Sequence, residues 1–378
     1  MLAVPFLPLL LFIALLTLPP ASLGKSDMTD RRPGIAPDIR EDDTPLKFQD
    51  GDFVGVPIPI SNPTVGSGLV GGAAYFYPQT EEQRAEQPAS LTGVAGFYTT
   101  NDSAGLALVQ QNYWREDRWR FTGAVGLADV RLALRPPELE GVDDTPSSAD
   151  WRIQGGFLFA RLSRRIAGNW YGGALLRIVD TDQSIEFGLS DPEDFDLSDA
   201  VRSAGIGLAL EYDSRDMPTN PYAGVYFKGE VLANDRAIGS DRNYQKLQLA
   251  LKSYHQLRDP LVLAWELKGC ETAGSIPLWD ACRIPLRGFP AFDYLGTTSL
   301  AGQAELRARF SRRWGATAFA GSGWAGNSFS TAGGSETIPS YGVGLRFQVL
   351  PAKRINLRID FARSEDDEAI YLSVGEAF

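Results

Sequence analysis

Two hydrophobic patterns divide the chain. Residues 2–18 (LAVPFLPLLLFIALLTL) form one unbroken, uncharged apolar run, closed by Pro19 and Pro20. From residue 53 onward the recurring pattern is alternation with a period of two, the signature of strands with two different faces. Tyr341, Val343, Leu345, Phe347 and Val349 alternate with Gly342, Gly344, Arg346 and Gln348. Ile355, Leu357, Ile359 and Phe361 alternate with Asn356, Arg358 and Asp360, and Ile370, Leu372 and Val374 alternate with Tyr371 and Ser373. The same phase runs through Leu300, Ala304, Leu306 and Phe310 against Gln303, Glu305, Arg307 and Arg309. It recurs as Leu261, Leu263, Trp265 and Leu267 against Glu266 and Lys268. No 3.6-residue pattern follows the leading run.

A soluble sandwich also alternates, but its polar face meets water and is rich in Lys, Glu and Thr. Here the second face mixes Gly, Ala, Gln, Arg and Glu, as a polar barrel lumen does. Strands of about ten residues suit a tilted membrane-spanning barrel. Closure follows because lipid cannot satisfy a free strand edge. The fold class expected is therefore all-β, a transmembrane antiparallel β-barrel of sixteen strands, with twelve or fourteen as alternatives. Short turns are expected at 115–118, 166–168, 257–260, 312–315 and 350–353, and longer connections at 136–150, 181–200, 233–243, 270–296 and 325–339. The two sets alternate as periplasmic turns and outer loops do. One long segment, 78–90, falls on the short-turn side and counts against this strand assignment.

The apolar run is short for a membrane span, contains Pro5 and Pro8, and leads to small residues at Ser22 and Gly24. Residues 1–24 read as a cleaved export signal. A single membrane anchor is the alternative. Residues 25–50 are polar and lack periodicity, which predicts a disordered periplasmic leader, leaving 51–378 for the barrel. Composition narrows the function classes. A formal net charge of -11 argues against phosphate-based nucleic-acid binding. One histidine and two cysteines are too few for a Cys/His zinc site, and a Ser-His-Asp triad would hang on His255 alone. His255 shares the outward parity of Leu249 and Leu251, which suits an interfacial position. The GSGLVG stretch at 66–71 precedes a strand, so it is no dinucleotide loop. Nothing calls for an enzyme, a cofactor or a metal. In an exported chain Cys270 and Cys282 are expected to close a short loop as a disulfide, with two free thiols as the alternative. Trp114, Trp119, Trp170, Tyr171 and Trp314 fall at strand ends, where aromatic girdles form.

Three ordered motifs resemble the BamA/TamA outer-membrane assembly family, the bacterial surface-antigen barrels. IGLALEYDSRDMPTNPYAGVYF (206–227) resembles its strand-turn-strand with a Tyr-Asp-x-Arg-Asp stretch. LRGFPAFDYLGTTSLAGQAELRARF (286–310) resembles its Arg-Gly-Phe loop tip and following strand, and YLSVGEAF (371–378) resembles its final strand. The match is good over 200–378 and weak over 51–200. The resemblance implies that Arg287, Gly288 and Phe289 form a loop tip folded into the lumen, with Glu305 as the partner of Arg287. The alternative is that Arg287 is solvated in an outer loop. Gly321 stands where the family often carries an Asp, which leaves the lock weaker or served by another acid. Residues 25–50 cannot hold a POTRA domain, so the resemblance is to a barrel-only member.

In that family the seam between first and last strands opens towards lipid. FVGVPIPIS (53–61) carries Pro57 and Pro59, which remove two donors from one ladder edge. If that edge faces the last strand, Pro57, Pro59, Gly375 and Phe378 mark a weak lateral seam. If it faces the second strand, or precedes the barrel, the prolines mean nothing of the kind. The reading is a bacterial outer-membrane barrel that assists insertion or translocation of outer-membrane components. Its expected partners are lipids and lipopolysaccharide, unfolded outer-membrane proteins and a separate periplasmic protein. A passive or plugged channel, and a structural barrel displaying acidic loops, are the alternatives.

Overall fold

In a computed structural model, residues 53–62, 66–134, 149–187, 196–289, 294–327, 337–350, 354–364 and 367–378 are described. The expected signal and leader, residues 1–50, lie outside them. Sixteen strands close an antiparallel barrel. The first eight are β1 (Phe53–Asn62), β2 (Gly66–Phe76), β3 (Leu91–Thr99), β4 (Ala104–Trp114), β5 (Trp119–Leu134), β6 (Ala149–Ala167), β7 (Trp170–Phe187) and β8 (Asp196–Asp213). Next come β9 (Gly224–Asn234), β10 (Tyr244–Arg258) and β11 (Leu261–Gly274). The ring continues through β14 (Thr298–Arg309), β15 (Trp314–Gly326), β16 (Ile338–Leu350), β17 (Ile355–Arg363) and β18 (Glu368–Val374). Between β11 and β14 the loop carries a separate two-stranded pair, β12 (Cys282–Arg283) with β13 (Leu295–Gly296). No helix of the described residues is long and apolar enough to cross a membrane. The chain crosses with strands.

The period-two pattern sorts side chains as the sequence suggests. Tyr341, Val343 and Leu345 are exposed on the outside, while Arg346, Gln348, Arg358 and Asp360 are buried within. Lipid accepts the outer apolar face, and the ladder groups are paired along the ring at every junction but that of β1 with β18, which is sparse. The segment 77–90 does lie at the short-turn end, and the count of sixteen holds. It contains a six-residue helix, α1 (Glu81–Glu86), begun by a capping box between Thr80 and Gln83. The Gln87 side chain ties this segment to the β4–β5 turn, donating to the Tyr113 carbonyl and accepting from the Glu116 amide.

Three expectations need correction. The 181–200 connection is shorter, because β7 runs to Phe187 and β8 begins at Asp196. These strands of 18 residues outrun the roughly ten that a bilayer requires, so their polar ends project beyond it. Tyr171 is no girdle residue: it faces inward and donates to the Asp117 carboxylate at 2.7 Å. Finally, the lumen is polar only in part. Ile58, Val70, Leu91, Phe97, Val130, Leu132, Trp151, Ile153 and Val179, all on β1–β7, form one buried apolar cluster. That half of the barrel is filled like a soluble core.

Candidate functional site

The connection from β11 to β14 turns back into the lumen and is held at three points. Nearest β11, Cys270 and Cys282 are disulfide-bonded with their Cα atoms 5.6 Å apart. Just before Cys282, a 3-10 turn (Leu278–Asp280) inserts Trp279 into the apolar cluster of β1–β7 and presents Asp280 to β7 and β10. Asp280 is fully buried and receives Nη1 of Arg177 on β7 at 3.1 Å, with Nη2 on its second oxygen. Tyr244 and Lys246 on β10 donate to the same carboxylate at 2.8 and 2.7 Å. Burial pushes the Asp280 carboxyl up, but the charges of Arg177 and Lys246 outweigh it and hold the group at about 2.

The loop tip makes the third attachment. Arg287 lies over the Phe319 ring, with its guanidinium carbon 3.4 Å from the centroid. It pairs with Glu305 on β14 at 2.6 Å and with Asp360 on β17 at 2.8 Å, and donates to Gln303 at 2.7 Å. Asp360 is the second acid that Gly321 does not supply. It reaches the tip from β17 rather than β15. The Gly288 amide donates to the Tyr371 hydroxyl at 2.9 Å, and its carbonyl accepts from Ser364 at 2.9 Å. Gly288 has φ of +95°, and a Cβ there would stand 3.0 Å from the backbone of Arg363 and Ser364. Only glycine fits that approach. Phe289 is buried with Ile284 and Ala301 and meets Tyr294 edge-on at 5.4 Å.

The acids of the tip are shared. Glu305 also accepts from Arg307 at 2.7 Å, and Asp360 from Arg346 at 2.5 Å. Arg346 continues to Glu376 at 2.8 Å, and Arg307 donates to the Phe378 carbonyl at 2.8 Å. One buried network therefore joins the loop tip to the tail after β18. Buried ion pairs of this kind specify position more than they add net stability.

That tail departs from expectation. Phe378 does not continue the last strand or line the seam. Gly375, with φ of +90°, ends β18, and residues 376–378 turn inwards. Phe378 packs in the lumen against Tyr254 and Ala264. The turn coincides with the prolines opposite. Ser67 on β2 gives both its amide and its carbonyl to Thr100, on the β3 side. Alternation then points Leu69 and Gly71 towards β3 as well. Pro59 and Pro57 stand opposite Leu69 and Gly71, so their nitrogens face away from β2, towards β18. Among the described residues β1 and β18 share one register pair, Ser61 with Leu372. Continued by two residues, that register sets Pro59 against Val374. There the ladder lacks a donor and stops.

Arg287, Gly288, Phe289 and Glu305 thus lie together, while Pro57 and Pro59 on β1 and Gly375 after β18 flank a junction with one described register pair. The sequence reading missed Asp280, Arg177, Lys246 and Asp360. Among the described residues no group of His, Cys, Asp and Glu side chains could hold a metal ion.

A closed sixteen-strand barrel with its largest described loop locked inside defines a class, the bacterial outer-membrane barrels with a lumenal loop. The chain belongs to the Omp85 superfamily, whose domain model matches residues 88–280, half of its length. No curated protein matches it. Among solved structures it is similar to BamA from Haemophilus ducreyi lacking POTRA domains 1–3, with 14% identity, a TM-score of 0.58 and coverage of 87% of this chain and 70% of that one. It is also similar to CdiB from Escherichia coli (12% identity, TM-score 0.58, 85% and 62% covered). CdiB from Acinetobacter baumannii follows (11% identity, TM-score 0.53, 85% and 59% covered). At these identities the likeness is one of fold. The chain spans less than two thirds of either CdiB.

Proposed function

We propose that this barrel assists the insertion or translocation of outer-membrane components through the β1–β18 seam, without reaction chemistry. The observation that carries this reading is the seam itself, with one described register pair and two prolines facing it. Each ladder hydrogen bond missing there removes about 0.5–1.5 kcal/mol of closure. Unfolded outer-membrane proteins are the clients this proposal implies, delivered by a separate periplasmic partner. A passive channel finds little support. Trp279 and the apolar cluster fill one side of the lumen, and the Arg287 network fills the other.

The experiment reconstitutes the full chain in liposomes and follows folding of an unfolded outer-membrane protein. Ser61→Cys with Leu372→Cys supplies the lock, because both residues point outward as direct partners. Folding faster than in empty liposomes, and slowed again when the cross-link forms, is the expected result. Acceleration indifferent to the cross-link, or none with periplasmic extract present, would sink the proposal.

A further inference from the structure

The short-turn rim carries its charge unevenly. The β10–β11 turn holds Arg258 and Asp259, while the end of β14 and its turn hold Arg309, Arg312 and Arg313. These turns touch, with the Arg309 amide donating to the Pro260 carbonyl at 3.3 Å. On these turns Arg258, Arg309 and Arg313 thus meet one carboxylate, and Asp259 comes no closer to Arg309 than 3.7 Å. Other rim arginines stand nearer their acids: Arg118 at 3.1 Å from Glu116, Arg215 at 2.7 Å from Asp213, and Arg354 at 2.6 Å from Asp216. In a chain of net charge -11, this sector is locally cationic.

A cleft opens between the two turns, lined by Tyr222, Gln256, Asp259, Arg309 and Arg313. Arg307, Arg346 and Glu376 line it as well. Arg346 is buried and paired with Asp360 and Glu376, yet its Nη2 has no hydrogen-bond acceptor. The cleft therefore sets four arginines against two carboxylates. Immediately outside it the surface turns apolar. Leu257, Phe310 and Trp314 are exposed, with Trp314 against Phe347 at 4.9 Å. Short turns of such barrels face the periplasm, so this aromatic band lies at the headgroup level of the inner leaflet.

We propose that the sector binds an anionic phospholipid of the periplasmic leaflet. Arg309 and Arg313 take the phosphate, and the acyl chains lie against Phe310 and Trp314. Guanidinium forks match phosphate oxygens in pairs, and basic residues beside a bilayer attract anionic headgroups. The bordering apolar surface sets acyl chains directly beside the arginines, which favours a lipid over free phosphate.

Native mass spectrometry of the full chain in detergent, loaded with phosphatidylglycerol or phosphatidylcholine, tests this. Phosphatidylglycerol should be retained through delipidation and phosphatidylcholine lost. Arg309→Gln with Arg313→Gln should weaken retention about 25-fold, roughly fivefold per arginine. Arg118→Gln, elsewhere on the rim, should leave it unchanged. Resistance to unheated detergent reports folding of each variant, and Arg313→Gln alone replaces the double variant if that misfolds. Equal retention of both lipids, or retention unaffected by the substitutions, overturns the proposal. Displacement of phosphatidylglycerol by millimolar inorganic phosphate would assign the site to a free anion and overturn it as well.

Discussion

At the scale of single residues, the two loop clamps differ in what they leave exposed to titration. Asp280 sits alone between Arg177, Tyr244 and Lys246, with its carboxyl held at about 2 against an ordinary value of 3.8. A depressed carboxyl contributes stability that is present above its unfolded value and lost as the pH falls through its folded value. The clamp should therefore be intact above about pH 4 and fail towards pH 2. Asp280→Asn removes that dependence and leaves Arg177 and Lys246 facing an uncharged amide. Acid titration of loop proteolysis should show protection collapsing between these limits in the native chain. In the variant, susceptibility should be flat and raised throughout. Neither Asp280 nor Arg177 stands in a motif, and they lie 103 residues apart, so their meeting left no local trace in the sequence. Asp360 was better marked. It is an acid on the lumenal parity of β17, two residues from Arg358, and parity alone directs it towards the Arg287 tip.

At the scale of elements, strands β14–β18 were legible because lipid outside and ions inside impose opposite chemistries on the two faces. Strands β1–β7 were less so. Val130, Leu132, Trp151 and Ile153 place apolar side chains on the inward face too, since that half of the lumen is packed rather than wet. Alternation fades where both environments reject charge. The resemblance weakens over the same stretch. The edge prolines show a different kind of legibility: the residues named the defect, but only register could say which neighbour suffers it. Pro59→Val restores one donor opposite Val374. It should strengthen closure by about 0.5–1.5 kcal/mol. The checks are a raised unfolding midpoint and faster disulfide trapping between introduced cysteines at positions 61 and 372. An unchanged midpoint would mean that the ladder ends at Gly375 for reasons of its own.

For the whole molecule, closure of the lumen rests on the folded-in loop together with the apolar side chains of β1–β7. Reduction of Cys270–Cys282 removes the covalent attachment, which in the chain-entropy picture costs about 3 kcal/mol for a loop of this size. Asp280 and Arg287 still hold the segment, so reduced protein in a planar bilayer should remain poorly conducting. Removing residues 275–289 should open a large conductance, because Trp279 and the tip leave together. Equal conductance before and after that deletion would show that the wall residues alone shut the lumen.

The placement of the two clamps has a mechanical meaning. Arg177 and Asp360 lie on β7 and β17, eight strands apart in a ring of sixteen, and a single stretch of eight residues, 280–287, fastens to both. That stretch is a strut across the diameter. An unbraced hoop parted at one point springs into an open curl, and every neighbouring joint shares the distortion. A braced hoop keeps its outline and confines the parting to the cut. For the seam proposed above, the strut would let the edge strands separate while the remaining wall keeps its curvature, and would return them to the same register on closing.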